Sequence, residues 1–485
     1  MNKAFRRTAV ASAVSGIALA LGAGQAFGSA FALAEQNSMG LGNAFAGAAA
    51  TAEDANTIWH NPAGLARLNF PQAEFALNVI VPSAKFQNAN SQPAALQPLG
   101  GTGGDAGSAA FVPNLYGSIA INDRIHVGIG VNVPFGLKTE YDNGWLGRYQ
   151  ALKSEIKTFN INPAFSWKVT DQFWLGAGAN YQHFDATLTN NVNYSGVLAS
   201  LGYPGAVAAG QITPAQAAAL SQATQGLDTF AKVTGDDAAW GWNVGAMFSF
   251  NGDANNDPGA GRIGIAYRSK LKYNVIGTVN FTQPTVPTLT GPLAPFNPVV
   301  AGVSNAINQN PLFANGGVTL AINMPDSASL SYYQKMSDKW DFLADVSWTG
   351  WSTIQQLTVK RSNGTVLESL PENFKDTWRY SAGVNYYYDD RTVLRAGVAY
   401  DQSPVNSIDR SPRLPDSDRT WVTAGYRYKF NSSLNLDLGA AYIFVKNGSI
   451  NNSGNPPSIP SNGLINGSYD NHVVIVSGEL NYRWR

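Results

Sequence analysis

The chain has 485 residues, of which only 13% are charged, about half the ~25% that is usual for soluble proteins. Its mean hydropathy of −0.13 is nevertheless too low for a bundle of transmembrane helices. The 32 basic and 32 acidic residues balance, so the chain has no excess of positive charge that would indicate binding to nucleic acid. The lack of cysteine excludes disulfides, thiolate metal sites and cysteine nucleophiles.

Residues 1–29 have the pattern of a secretory signal peptide. Lys3, Arg6 and Arg7 form a positive start, and residues 8–23 are apolar and uncharged. Small residues follow at Ala26, Gly28, Ser29 and Ala30. The stretch is short for a membrane-spanning helix and lacks a stop-transfer flank, and no later run of 18 apolar residues occurs. We therefore expect an exported protein that is cleaved between Gly28 and Ala30.

Residues 30–69, which we call the hatch segment, show no alternation of apolar and polar residues. They are rich in glycine and alanine, with Gly40, Gly42 and Gly47 as examples. Such small residues suit the close packing of short helices. We predict a small N-terminal helical domain here.

The remainder, residues 70–485, is dominated by strands in which apolar and polar residues alternate. Every second residue from Leu434 to Phe444 is apolar, whereas Asn435 and Asp437 lie between them. Fourteen runs of this kind predict an all-β domain, with strands near 71–86, 111–121, 125–135, 154–168, 172–190, 231–250, 262–282, 316–336, 340–360, 374–388, 391–402, 418–430, 433–447 and 470–484.

The connections between these strands alternate between short and long without exception. Six short turns and seven longer loops are typical of an antiparallel transmembrane β-barrel, which must close because lipid cannot satisfy an open sheet edge. Strands longer than the usual ~5–6 residues, and aromatic residues near strand ends such as Trp167 and Trp174, argue against a soluble sandwich or propeller. A 14-stranded barrel is too wide for its own side chains to fill, so we expect the hatch segment to plug the lumen.

No motif indicates catalysis. The four histidines, His60, His126, His183 and His472, lie far apart, and no nucleophile elbow or calcium-binding loop is complete. The sequence therefore predicts no enzyme, no cofactor and no metal site.

The most distinctive motif is Ile58-Trp59-His60-Asn61-Pro62-Ala63-Gly64-Leu65, which lies directly before the predicted barrel. With the stretches at 38–42, 134–141, 240–243, 266–269, 374–376 and 386–390, it resembles the long-chain fatty-acid transporter family of Gram-negative outer membranes (FadL-type). That family includes importers of aromatic hydrocarbons. The resemblance spans nearly the whole mature chain and implies fourteen strands, an N-terminal hatch and diffusive uptake of hydrophobic molecules.

The resemblance also implies three groups of site residues. The hatch motif corresponds to Asn61, Pro62 and Ala63. The mature N-terminus, with Phe31 and Leu33, is expected beside the ligand. The third strand is expected to kink and open a gap in the wall at Pro134, Phe135 and Gly136. The residues agree with a kink, because Pro134 cannot donate a ladder hydrogen bond and Gly136 tolerates unusual backbone angles.

Two positions depart from the family pattern. Fatty-acid-binding members use basic residues near the end of strand five and in the loop before strand ten, where this chain has Asn190 and Leu370. Neither can pair with a carboxylate. Either Lys138, Lys360 or Arg361 meets the headgroup, or the substrate is an uncharged hydrocarbon.

The outer loops supply a candidate capture surface in residues 196–220, which contain Leu198, Leu201 and Val207 and suggest a helix. The predicted lumen face carries charged residues that we interpret as a stiffening polar network: Arg379, Arg395, Arg427, Asp437, Glu479 and Arg483. The expected partners are a hydrophobic small molecule, outer-membrane lipid and lipopolysaccharide, and the expected state is a monomer. A polar porin and an adhesin barrel remain the alternatives of another class.

Overall fold

The computed structural model describes residues 29–250, 260–452 and 459–484, so the expected signal peptide lies almost wholly outside the described residues. Strand segments dominate the described chain. They are β1 (Gln72–Asn88), β2 (Ala110–Ala120), β3 (Ile125–Asn132), β4 (Gly136–Glu140), β5 (Lys153–Lys168), β6 (Phe173–Asn193), β7 (Asp228–Phe250), β8 (Gly261–Arg268), β9 (Leu271–Thr282), β10 (Gly316–Met324), β11 (Ser327–Lys335), β12 (Trp340–Thr349), β13 (Gln356–Arg361), β14 (Val366–Pro371), β15 (Thr377–Tyr387), β16 (Thr392–Asp401), β17 (Arg419–Lys429), β18 (Leu434–Val445), β19 (Gly448–Asn452) and β20 (Ile465–Arg483).

These segments form one closed antiparallel sheet. The first strand, β1, pairs with β2 on one side and with the last strand, β20, on the other, from Gln72 opposite Arg483 to Asn88 opposite Gly467. Six strands are interrupted, so that β3/β4, β8/β9, β10/β11, β12/β13, β14/β15 and β18/β19 are halves of single strands. The predicted 14-stranded barrel is confirmed, and the interruptions are the feature that the alternation did not reveal.

The apolar face of the alternation points away from the barrel interior. Leu438, Tyr442 and Phe444 are exposed, whereas Asn435 and Asp437 on the same strand are buried inside. This polar-in, apolar-out pattern is the one that lipid requires. Aromatic pairs also lie near the strand ends, as at Trp340 and Tyr386, whose ring centroids are 4.6 Å apart.

One aromatic residue that we expected at the lipid interface lies inside instead. Trp174 is buried, and the guanidinium of Arg67 from the hatch segment stacks 4.7 Å from its ring centroid. The prediction for Trp174 is therefore wrong, because alternation places it on the inward face of β6.

The helices are short and belong to the hatch segment and the outer loops. The hatch segment contains α1 (Ser38–Gly42), α2 (Ala48–Thr51), α3 (Thr57–His60) and a 3-10 turn (Pro62–Arg67). The loops contain α4 (Tyr194–Val197), a π-turn (Leu198–Gly202), α5 (Tyr203–Ala208), α6 (Pro214–Ala223), a 3-10 turn (Gly291–Phe296), α7 (Asn297–Asn308), a 3-10 turn (Trp351–Thr353) and α8 (Ile459–Asn462). Among the described residues, no helix is long and apolar enough to cross a membrane.

The hatch segment lies inside the barrel, against glycines of its inner wall. A Cβ atom on Gly425 would lie 2.7 Å from the Cα of Gly42, and one on Gly245 would overlap the Asn61 side chain. Other wall glycines face hatch backbone in the same way, namely Gly176, Gly264, Gly383, Gly397 and Gly439. Close approach of two backbones therefore explains much of the glycine content of the strands.

Candidate functional site

The wall of the barrel is interrupted where the resemblance implied a kink. β3 ends at Asn132 and β4 begins at Gly136, and both pair with β5. Only β3 pairs with β2, so the wall is unpaired between β2 and β4. The hydroxyl of Thr158 accepts from the amide of Phe135 and donates to its carbonyl, so a side chain replaces the ladder at the break.

The N-terminal end of the hatch segment covers this break from inside. The amide of Leu33 donates to the carbonyl of Pro134 at 2.8 Å, and the amide of Gly136 donates to the carbonyl of Phe31 at 2.9 Å. Gly136 does not have a left-handed backbone. Its lack of a side chain makes room for Leu33, whose Cδ1 lies 3.3 Å from where a Cβ would be.

Aromatic rings surround the same place. The ring of Phe31 lies 6.1 Å from that of Phe135 and 4.7 Å from that of Trp351, measured between centroids. Phe374 packs on the other side of Trp351 at 6.0 Å. The structure thus brings together the two groups, Phe31 with Leu33 and Pro134 with Gly136, that the sequence could only name separately.

A cavity of about 220 Å³ lies behind this segment, between the hatch and the inner wall. Its lining includes the apolar residues Leu33, Phe135 and Trp421 and the charged residues Arg268 and Arg379, and the guanidinium of Arg379 lies 5.2 Å from the ring centroid of Trp421. An apolar cavity of about 150 Å³ holds a benzene molecule. This cavity therefore suits an aromatic ring or a short stretch of acyl chain, and a longer chain requires residues 31–34 to move aside.

The hatch motif joins three parts of the molecule. The side-chain amide of Asn61 donates to the carbonyls of Ala49 at 2.8 Å and Ala246 at 3.0 Å, and its oxygen accepts from the amide of Ala63. Pro62 begins the 3-10 turn and lines the cavity, and the carbonyl of Ala63 accepts from Ser166 of β5. The motif fastens the hatch segment to β5 and β7.

Charged residues fix the middle of the hatch segment to the opposite wall. Asp54 binds Arg427 at 2.5 Å and Arg483 at 2.8 Å. Burial alone would raise the pKa of Asp54, but these guanidiniums hold that pKa at about 2. The oxygens of Asp54, Asp437 and Glu479 lie within 4.8 Å of one another. Arginines form ion pairs with two of these carboxylates, so the cluster is part of a buried network of charges.

The outer loops form an apolar groove between α5 and α7. Leu201, Gly205 and Val299 line it, and Leu201 is exposed. Leu198 does not line the groove, because it is buried in the core beneath, and Val207 packs half-buried against that core. Of the three residues proposed for capture, only Leu201 is placed to touch a ligand there.

None of the basic residues proposed for a headgroup lines the cavity. Lys138 pairs with Glu140 at 3.1 Å, Lys360 is exposed on the loop hairpin, and both terminal nitrogens of Arg361 donate to loop carbonyls. Asn190 accepts from Arg413, and Leu370 lines a separate outer pocket that also contains Arg413. The arginines that line the cavity are Arg268 and Arg379. Arg268 belongs to the matching stretch 266–269, and Arg379 belongs to the predicted polar network of the lumen.

Comparison with known proteins agrees with this architecture. The sequence profile described as "Outer membrane protein transport protein (OMPP1/FadL/TodX)" matches residues 19–484. The long-chain fatty acid transport protein of Escherichia coli K12 is 28% identical over 462 residues, covering 92% of this chain and 94% of its own length.

Two solved structures share the fold. The crystal structure of a Pseudomonas aeruginosa FadL homologue has a TM-score of 0.78 at 24% identity, covering 94% of this chain and all of that one. The toluene transporter TbuX of Ralstonia pickettii has a TM-score of 0.60 at 16% identity, covering 93% of this chain and all of that one. With a profile match over nearly its whole length, the chain belongs to the OMPP1/FadL/TodX family of outer membrane transport proteins.

Proposed function

We propose that this protein takes up hydrophobic molecules passively across the bacterial outer membrane, with long-chain fatty acids as the first candidate substrates. The observation that carries the proposal is the cavity of about 220 Å³ that touches both the hatch segment and the wall break. A hydrophobic molecule there needs to cross only residues 31–34 and the break to reach lipid. It never has to enter an aqueous channel.

The proposed route has three steps. A molecule is first captured in the outer groove beside Leu201 and passes to the cavity behind Leu33. Residues 31–34 then move away from Pro134 and Gly136, and the molecule leaves sideways through the wall. Apolar burial at ~25 cal/mol per Å² favours binding without making it irreversible.

Different parts of the hatch segment have different roles in this route. Residues 31–33 are held to the wall break by two backbone hydrogen bonds, whereas Asp54 and Asn61 are held by ion pairs and several side-chain bonds. The N-terminal end is the part that moves, and the rest stays in the barrel. We propose signal-peptide removal before Ala30, no catalytic role, a monomer, and lipid and lipopolysaccharide around the exposed apolar face.

An uncharged aromatic or aliphatic hydrocarbon is the second candidate substrate. The likeness to the toluene transporter favours it, as does the absence of a basic residue at Asn190 and Leu370. The cavity volume admits either class. A polar porin or an adhesin would use the same barrel but not the cavity or the covered break.

The test is uptake by a strain that lacks the gene, with and without the gene restored on a plasmid. Radiolabelled palmitate and toluene are the two probes, and accumulation of either one only in the restored strain supports the proposal. Equal accumulation of both probes in the two strains contradicts it. Large, steady ion conductance in planar bilayers would instead establish a porin.

A further inference from the structure

Two arginines at the cavity form no ion pair with a carboxylate in the part of the chain that the structure describes. Among the described residues, no carboxylate oxygen lies within 4.0 Å of a nitrogen of Arg268 or Arg379, whereas Arg395, Arg427 and Arg483 all have such partners. Both side chains are half-buried and line the cavity. Asp401, which lies opposite Arg379 in the β15–β16 register, and Asp345 compensate the charge of Arg379 in part and at longer range, whereas no carboxylate of the described chain acts on Arg268 in this way. An incompletely compensated cation in a low-dielectric interior is costly, so the site is poised for an anion.

The guanidiniums are held in place but not saturated. Arg268 stacks 3.6 Å from the ring centroid of Trp59, donates to the Trp59 carbonyl at 2.9 Å and donates to Asn180. Arg379 donates to the Ala44 carbonyl at 2.8 Å and leaves its Nε without a partner. A guanidinium has five N–H donors. Each arginine therefore keeps donors for a ligand after fixing its own orientation.

His60 lies within the electrostatic reach of both cations. It lines the same cavity, and burial together with the nearby Arg268 and Arg379 lowers the pKa of its imidazole to about 3. A neutral imidazole adds no positive charge but offers a ring nitrogen, and its Nε2 has no partner in the described structure. The polar end of the cavity thus combines two cations with an unused neutral donor or acceptor.

Two acidic residues also line the cavity and have to be weighed. Asp345 accepts hydrogen bonds from Ser331 and Ser347, and the charge of Arg379 also stabilises its carboxylate. Asp401 lies opposite Arg379 in the β15–β16 register, and the two charges attract each other, although they form no ion pair within 4.0 Å among the described residues. Neither carboxylate occupies the donors of Arg268 or Arg379.

We propose that Arg268 and Arg379 bind the carboxylate of an acyl chain whose apolar end packs against Leu33, Phe135 and Trp421. This inference rests on the proposed uptake function and assigns its substrate class. Arg268 and Arg379 select fatty acids over uncharged hydrocarbons. Neither lies at the positions where fatty-acid-binding members have basic residues. The headgroup lies deep in the barrel, beside the hatch, and the acyl chain extends towards the wall break.

The test compares palmitate with hexadecanol, which has the same chain length and an uncharged headgroup. Binding of each radiolabelled probe is measured on the purified full chain in detergent at pH 8. A hydrogen bond to a charged group contributes about 1.5–3 kcal/mol, so we expect palmitate to bind at least about tenfold more tightly. Arg268→Gln and Arg379→Gln should each reduce this ratio by about threefold or more and leave hexadecanol affinity unchanged.

The matched control is Arg148→Gln. Arg148 is more deeply buried than the two cavity arginines, but it has its own carboxylate in Asp228 at 2.9 Å and lies outside the cavity, so the ratio should persist. Equal affinity of the unaltered protein for both probes overturns the inference and leaves uptake of hydrophobic molecules intact, and this comparison needs no variant to fold. Equal loss of both probes in Arg268→Gln and Arg379→Gln assigns a purely structural role and also overturns it. Failure of both probes to bind the unaltered protein contradicts the uptake proposal itself.

Discussion

Leu33 and Pro134 are joined by a hydrogen bond of 2.8 Å from the amide of the first to the carbonyl of the second. With the bond from Gly136 to Phe31, it makes Ala32 and Phe135 an antiparallel bridge. The break in β3/β4 is therefore covered by three residues of the chain's own N-terminal end. On either side of this covering, the amide of Ala30 donates to Asp416 and the side chain of Gln36 donates to the carbonyl of Val133. Displacement of the covering therefore has to break only a few hydrogen bonds, each of modest net free energy.

A disulfide between positions 32 and 135 should lock this covering. Ala32 and Phe135 form a non-hydrogen-bonded pair, the geometry that brings side chains closest, and the chain has no other cysteine. We expect the Ala32→Cys, Phe135→Cys double variant to lose most palmitate uptake under oxidising conditions and to regain it with reductant. Each single variant is the control, and uptake that continues while the disulfide is fully formed would contradict movement of this segment.

A bulky side chain at position 136 should also stop uptake. A Cβ there lies 3.3 Å from Leu33 and faces the wall break, so leucine would fill the space through which a ligand has to pass. Gly136→Leu should still fold as a barrel, seen as a heat-dependent mobility shift on electrophoresis, while uptake falls about tenfold or more. Normal uptake by Gly136→Leu would remove the lateral exit step.

Much of the fold could be predicted because the lipid environment imposes a simple rule on every strand. The alternation from Leu434 to Phe444 and the short turns identified the wall and its closure. The interruptions of the strands were not predictable. The hydrogen-bonded pairing stops at Ser269 and Lys270, and again at Pro325 and Asp326, while the apolar alternation continues. Trp174 was misplaced because an aromatic residue near a strand end has the same sequence signature on either face.

The candidate site was harder to predict than the fold. Residues near in space but far in sequence, such as Phe31, Phe135 and Trp351, leave no local signal for their contact. Arg268 and Arg379 look like ordinary inward-facing residues in the sequence, because the sequence does not show which carboxylates lie within ion-pair distance of them. Leu198 was named as a contact residue because apolarity alone does not distinguish a groove from the core beneath it.

The outer groove should control uptake at low substrate concentration. Leu201 is exposed on its wall, and an aspartate there would put a charge where an acyl chain is expected to rest. We expect Leu201→Asp to raise the concentration for half-maximal palmitate uptake by about fivefold, with little change in the maximal rate. Ile408→Asp, at an exposed apolar residue of another outer loop, is the control. A lower maximal rate with an unchanged half-maximal concentration would assign Leu201 to a later step.

Asp54 should stabilise the barrel–hatch unit in a pH-dependent way. Its pKa of about 2 lies below the usual value near 3.8, so its contribution is present above about pH 4 and is lost as the pH falls towards 2. Asp54→Asn leaves Arg427 and Arg483 without this partner and should lower the free energy of unfolding by about 3 kcal/mol at pH 7. Denaturant unfolding followed by circular dichroism measures this, with the exposed Asp171→Asn as control. Equal stability of Asp54→Asn and the unaltered chain at pH 7 would contradict the role.

Glu35 directly follows residues 31–34, the segment that is proposed to move, so displacement of that segment opens the surroundings of its side chain to solvent. Its side chain is fully buried, and neither carboxylate oxygen has a hydrogen-bond partner. Burial raises its pKa to about 7, although the charges of Arg419 and Arg379 oppose this, and Asp401 adds to it. The carbonyl of Glu35 meanwhile accepts from Asn78 and Asn114, which fixes the backbone beside β1 and β2.

The contact of residues 31–33 with the wall break should therefore loosen as the pH rises. With a folded pKa near 7 and a solvated value near 4.5, the closed segment binds more protons than the displaced one between these limits. Its stability consequently falls from pH 4.5 to 7 and stays low above that. Hydrogen exchange at the Leu33 amide, corrected for the intrinsic rate, should be clearly faster at pH 8 than at pH 5.5, and Glu35→Gln should abolish the difference. Equal protection of the unaltered chain at both pH values would show that Glu35 does not bias the movement.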